Sequence, residues 1–165
     1  MVCQEIKDFL AAHADARYAA FVTSLMPGAR PVVGVRLPVL RALAKEIAKG
    51  DWRTYLEEAV DDTFEEVMLQ GYVTGAARMP FEEQMDRMTA YVRKINDWAL
   101  CDSPCSGFKF VRKHREEVWA FLQPYLYSGE VFSQRFDVVM LLAHFVTDDF
   151  IDRVLEACAA VRQSG

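Results

Sequence analysis

At 165 residues, with 52% of them apolar and 26% charged, the chain is the size of one domain and can bury a substantial core. It opens on no basic stretch with an apolar run and cleavage site, and no apolar run approaches a membrane span, so secretion and membrane insertion are not expected. A formal net charge of -5 argues against a protein coated in nucleic acid, so any such contact has to come from a local basic surface.

Apolar residues recur at three-and-four spacing almost throughout, and period-two alternation is nearly absent, which predicts an all-α chain. The first helical pattern carries Ile6, Phe9, Leu10, Tyr18, Phe21, Val22 and Leu25 on one stripe and ends at Met26-Pro27-Gly28. Pro38 suits the first turn of the next helix, whose buried stripe is Leu40, Leu43, Ala44 and Ile47, with Gly50 as its stop. Asp51 can cap a short helix bearing Trp52, Tyr55 and Leu56. Thr63 and Glu66 form a capping-box pattern for a helix with Phe64, Val67, Met68 and Tyr72 inward and Gly71 and Gly75 available for close packing. Pro80 separates it from a helix burying Phe81, Met85, Met88, Val92 and Ile95. Asn96 or Asp97 then caps a short helix from Trp98 to Cys105, which Ser106-Gly107 ends. A longer stretch from Phe108 to Tyr127 is expected to bend before Pro124, and helices over about 131–146 and 148–161 follow, the last opened by Asp148 and Asp149. Short helices with apolar residues on more than one side fit stacked antiparallel pairs, in which each layer is buried by its neighbours.

The chemistry concentrates in Ile95-Asn96-Asp97-Trp98-Ala99-Leu100-Cys101-Asp102. Four residues apart, Trp98 and Asp102 share a helix face, where an indole and a carboxylate suit a transient cation. The ordinary reading of the same pair is a core tryptophan and an exposed aspartate. Lys109, Arg112 and Lys113 are spaced to share the next helical face as phosphate contacts, or else form a plain solvated face beside Glu116 and Glu117. Arg36, Arg41 and Lys45 are weaker candidates. Cys3, Cys101, Cys105 and Cys158 read as reduced cytosolic thiols. Cys101 and Cys105 could share a ligand face, but too few further ligands stand at metal spacing, so no metal is expected. His114 reads as a surface residue and His144 as a helix-packing one, with Trp52 and Trp119 in the core.

Asn-x-Trp-x-x-Cys-Asp, the basic stretch after it, Gly34-Val35-Arg36-x-Pro38-x-Leu40-Arg41-x-Leu43-Ala44-Lys45, and Glu65-Glu66-x-Met68-Leu69-Gln70-Gly71 together resemble the AlkD-like DNA alkylation repair family. The similarity runs from about Tyr18 to the end of the chain in one order. It implies an α-α superhelix of HEAT-like helix pairs, a single domain over 1–165, short of the family's C-terminal repeats. It further implies a cytoplasmic, monomeric DNA glycosylase whose concave surface cradles duplex DNA and hydrolyses the N-glycosidic bond of cationic N3- or N7-alkylated purines, with no metal or organic cofactor. By the same resemblance, Trp98 and Asp102 correspond to the residues that contact the lesion's deoxyribose, and Arg135 to an arginine near the backbone phosphate. Two readings stand beside it: a non-catalytic helical-repeat binder of DNA structure, and a protein-interaction scaffold, which an acidic concave surface would favour.

Overall fold

The computed structural model describes residues 3–26, 28 and 30–161, and every regular element among them is helical. The first apolar stripe is split into α1 (Cys3–Ala12) and α2 (Ala16–Leu25). Asp15 causes the split: its Oδ1 accepts the amides of Arg17 and Tyr18, both at 3.0 Å, and so caps a new helix. The re-set register leaves Phe21 and Leu25 exposed, while Val22 and Met26 are buried. Pro27, part of the expected stop, lies outside the described residues, as does the side chain of Cys3.

In α3 (Leu37–Lys49), Pro38 occupies the first turn and the expected stripe of Leu40, Leu43, Ala44 and Ile47 is buried. Gly50 closes the helix through its amide on the Ile47 carbonyl at 3.0 Å, with a negative φ, so this stop does not exploit glycine's left-handed freedom. Asp51 caps α4 (Trp52–Glu58) through the Thr54 amide at 3.2 Å. The capping box at α5 (Phe64–Ala76) is fully formed, with Glu66 Oε2 accepting the Thr63 amide at 2.8 Å and Thr63 Oγ1 accepting that of Glu66. This helix is the centre of the molecule, buried at every position from Phe64 to Thr74; the single inner face read from its apolar spacing therefore understates it.

Glu65 explains how a charge can sit there. Its carboxylate, 1% exposed, accepts the backbone amides of Val33, Gly34 and Val35 at 2.9, 2.7 and 3.2 Å, fixing the loop that leads into α3. Gly34 is obligatory in that loop: φ is +96°, and a Cβ would lie 2.2 Å from the Asp15 carbonyl oxygen. Glu65→Ala is expected to cost about 3 kcal/mol, because it strands buried amide donors; a lower urea midpoint at unchanged slope would show it.

The chain continues through α6 (Phe81–Val92), α7 (Trp98–Cys105), a 3₁₀ helix (Lys109–Lys113), α8 (Arg115–Leu126), α9 (Val131–His144) and α10 (Ile151–Ala160). The expected long helix from Phe108 is instead broken at His114, and Pro124 sits within α8. Three residues per turn place Phe108 and Val111 on one side, and both are fully buried. The His114 ring stacks on Phe81 at 3.9 Å, which holds the break against α6. The last helix begins three residues later than the aspartates suggested, since the Thr147 carbonyl accepts the amides of Phe150 and Ile151 in a turn.

Helices α3, α5, α7 and α9 stack in chain order as one layer, with α4 against α3 and α5, α6 behind α5, and the 3₁₀ helix and α8 behind α9. This is the helical-repeat superhelix the sequence led us to expect. Gly71 lets α5 and α7 approach: a Cβ there would meet the Tyr91 ring at 2.5 Å and Pro104 at 2.7 Å. The terminal α10 folds back, its Phe150 ring meeting Phe145 at 5.3 Å and Trp119 at 5.8 Å. Its buried residues are Val154 and Ala157, whereas Leu155 and Cys158 are exposed.

Candidate active site

Burial decides which way α7 faces. Leu100, Cys101, Pro104 and Cys105 are buried, so helical spacing turns Trp98, Asp102 and Ser103 to the opposite, open side. Both ends of the helix are tied down. Asp97 caps it through the Leu100 amide at 2.9 Å, and burial pushes the Asp97 carboxyl up, against the lowering effect of the Leu100 and Ala99 amides. Arg30, from the loop before α3, donates to the Lys94 carbonyl at 3.0 Å and to Asn96 Oδ1, holding the approach to that cap. The buried Tyr91 hydroxyl donates to the Leu100 carbonyl at 2.7 Å. At the far end, His144 Nε2 lies 2.8 Å from the Cys105 carbonyl, which can only accept, so Nε2 carries the proton and burial holds the ring's pKa down.

On the open side, Trp98 is 43% exposed, so it is not the core residue that tryptophan in a helix usually is. One turn on, Asp102 is half-exposed and paired with Arg135 from α9, which donates Nε to Oδ1 at 2.8 Å and Nη2 to Oδ2 at 2.6 Å. The carboxylate raises the Arg135 pKa. A forked pair of this kind fixes the plane of the carboxylate but leaves a lone pair on each oxygen for another donor. Arg135, expected beside a phosphate, is thus first of all the group that orients Asp102.

The basic stretch divides. In a 3₁₀ helix, residues three apart align, so Lys109 and Arg112 share a side and Lys113 does not, contrary to the common face expected of an α-helix. All three are exposed. Lys109 lines a cleft of about 490 Å³ together with Arg41, Lys45, Tyr72 and Ser103, and neither Arg112 nor Lys113 is among its walls. Arg112 instead lies close enough to His144 to help depress its pKa.

Sequence reasoning passed over Ser103; Tyr72 is buried as expected, but its hydroxyl also reaches the edge of the cleft. Ser103 Oγ lies 2.6 Å from the Tyr72 hydroxyl and accepts from Arg41 Nη2 at 2.9 Å. The only available signal was that Ser103 follows Asp102 on the same helix. Arg36, by contrast, is spent on Asp15 at 3.2 Å. Among the described residues no three or more His, Cys, Asp or Glu side chains gather as metal ligands, and no helix is long and apolar enough to cross a membrane.

Compared with known proteins, residues 6–164 match the family model described as DNA alkylation repair enzyme. No curated protein and no solved structure matches the chain.

Proposed function

Since the chain belongs to the DNA alkylation repair enzyme family, we propose that it is a DNA glycosylase acting on cationic N3- or N7-alkylated purines in duplex DNA. The observation that carries this reading is the half-exposed carboxylate of Asp102, oriented by Arg135 and one turn from the exposed indole of Trp98. An alkylated purine already bears a positive charge and departs without a general acid; the glycosidic electron pair leaves with it and neutralises it. Positive charge then develops on the deoxyribose. Asp102 stabilises that charge and takes the proton of the water that bonds to the sugar carbon, while the Trp98 face adds cation-π attraction. Arg135 holds the carboxylate and contacts backbone phosphate, and Lys109, Arg112 and Lys113 supply further positive charge to the duplex. On this reading the protein works as a cytoplasmic monomer.

One feature favours the non-catalytic alternative: Arg135 pairs with the Asp102 carboxylate through a hydrogen bond to each oxygen and offsets its charge, as suits a rigid surface that recognises DNA shape. Incubation with methylated duplex DNA, with released bases quantified and binding to undamaged and branched DNA followed in parallel, separates the two. Release of 3-methyladenine or 7-methylguanine is expected; binding without release would assign the shape reader instead. An absence of both would point to a protein partner.

A further inference from the structure

The cleft between α3, α5 and α7 lies beside the residues given catalytic roles but does not contain them. Its polar walls are Arg41, Lys45, Tyr72, Ser103, Ser106 and Lys109, with no carboxylate among them. That is unusual in a chain of net charge -5. Several cations elsewhere are neutralised: Arg53 and Arg87 reach Glu83, Lys94 reaches Asp61, and Arg153 reaches Glu116. At the cleft, the exposed Lys45 and Lys109 make no ion pair among the described residues, and Arg41 bonds the neutral Ser103 hydroxyl.

Arg41 is also aimed. Its guanidinium lies 5.3 Å from the centre of the Tyr72 ring, and Ser103 Oγ holds one of its nitrogens at 2.9 Å. The Tyr72 hydroxyl in turn holds Ser103 at 2.6 Å. The anchor is firm, because Tyr72 is only 8% exposed. One side of the guanidinium is thereby fixed, and its remaining N–H groups have no carboxylate partner among the described residues.

We propose that this cleft is a phosphodiester seat, separate from Arg135, in which Arg41 makes the directed contact, Ser103 and Tyr72 position it, and Lys45 and Lys109 add charge. Fixed guanidinium donors match the geometry of a phosphate better than freely rotating ammonium groups do. The occupant is a backbone phosphate of the duplex beside the nucleotide that faces Asp102, which makes this proposal rest on the DNA-binding reading but not on excision. With Arg135 on the α9 side and this seat on the α3 side, Trp98 and Asp102 stand between two backbone anchors.

The test uses undamaged duplex DNA, so that its outcome is independent of glycosylase activity. Binding is measured by fluorescence anisotropy between about 50 and 200 mM salt, where each lost phosphate contact lowers the salt slope by about one. Arg41→Leu and Lys109→Gln are each expected to lower it by that amount; Lys109 is exposed and unbonded, so its replacement does not threaten the fold. Arg41→Lys, which keeps the charge and loses the fork, is expected to keep the slope and weaken binding. A series of duplexes with one neutral methylphosphonate each should contain a position that weakens the wild type but not Arg41→Leu. Unchanged slopes in both neutralised variants, the lack of such a position, or no duplex binding by the wild type would each overturn the seat. Absent base release alongside these binding results would instead remove the glycosylase reading and leave the seat standing.

Discussion

Replacing Asp102 with asparagine is expected to slow base release from N3- or N7-methylated duplex by about 100-fold or more, with affinity for undamaged duplex nearly unchanged. The amide keeps the size of the side chain and one acceptor oxygen, so α7, seated by Leu100, Cys101, Pro104 and Cys105, has no reason to move. What disappears is the negative charge opposite the developing sugar cation and the base for the attacking water. Trp98→Ala should have a smaller effect, roughly fivefold, since an exposed cation-π contact contributes about 1 kcal/mol. Single-turnover base release checks both. Retention of the wild-type rate by Asp102→Asn would remove Asp102 from the chemistry.

The second large effect concerns stability. Asp137, two residues beyond Arg135 on α9, is wholly buried, and neither of its carboxylate oxygens has a hydrogen-bond partner among the described residues. Desolvation alone pushes its pKa up to about 7, against about 3.9 for an unfolded aspartate. Between those values the folded chain holds a proton that the unfolded chain has released, so this residue's contribution to stability is full below about pH 4 and is lost as the pH rises to about 7. Asp137→Asn mimics the protonated form. At pH 8 the variant should be more stable than the wild type by about 2 kcal/mol, less than the roughly 4 kcal/mol equivalent of the full shift, because the amide also lacks partners. Below about pH 4, where the wild-type carboxyl is protonated in both states, the order should reverse and the variant should be the less stable by about 2 kcal/mol. Urea unfolding of both proteins across this range provides the difference curve; a pH-independent difference would show that Asp137 is ionised in the folded state. Because α9 also carries Arg135, the helix that orients Asp102 loses this contribution to its stability as the pH rises from about 4 to about 7.

The local signals were strong where a few adjacent residues suffice. The Thr63 and Glu66 capping box, the Asp51 cap, the α3 stripe and the Trp98–Cys105 helix are all present as the residue pattern implied, because each depends on contacts within a turn or two. Where the pattern misled, a competing interaction decided. Asp15 broke the first stripe by capping α2, and the buried Phe108 and Val111 drew the basic segment into a 3₁₀ helix. That change of helix type also rearranged the cations, aligning Lys109 with Arg112 and leaving Lys113 aside.

The site follows the same division. Helical spacing alone placed Trp98 and Asp102 on one face, but exposure depends on which side of α7 meets α5 and α9, and no residue count within the helix settles that. The bond from Arg135 to Asp102 joins positions 33 residues apart, and the approach of Arg41 to Ser103 spans 62. Such long-range pairs leave no periodic trace, since either partner alone reads as an ordinary surface residue. By itself, then, the amino-acid order determined the helices, most of their caps, and the indole and carboxylate one turn apart. Only the packing of α3, α5, α7 and α9 decided that these two groups face outward, that Arg135 orients one of them, and that Arg41, Lys45 and Lys109 converge on a cleft without opposing charge. The reason is physical: caps and stripes are satisfied by neighbours in the chain, whereas exposure and charge pairing are set by whatever the fold brings alongside.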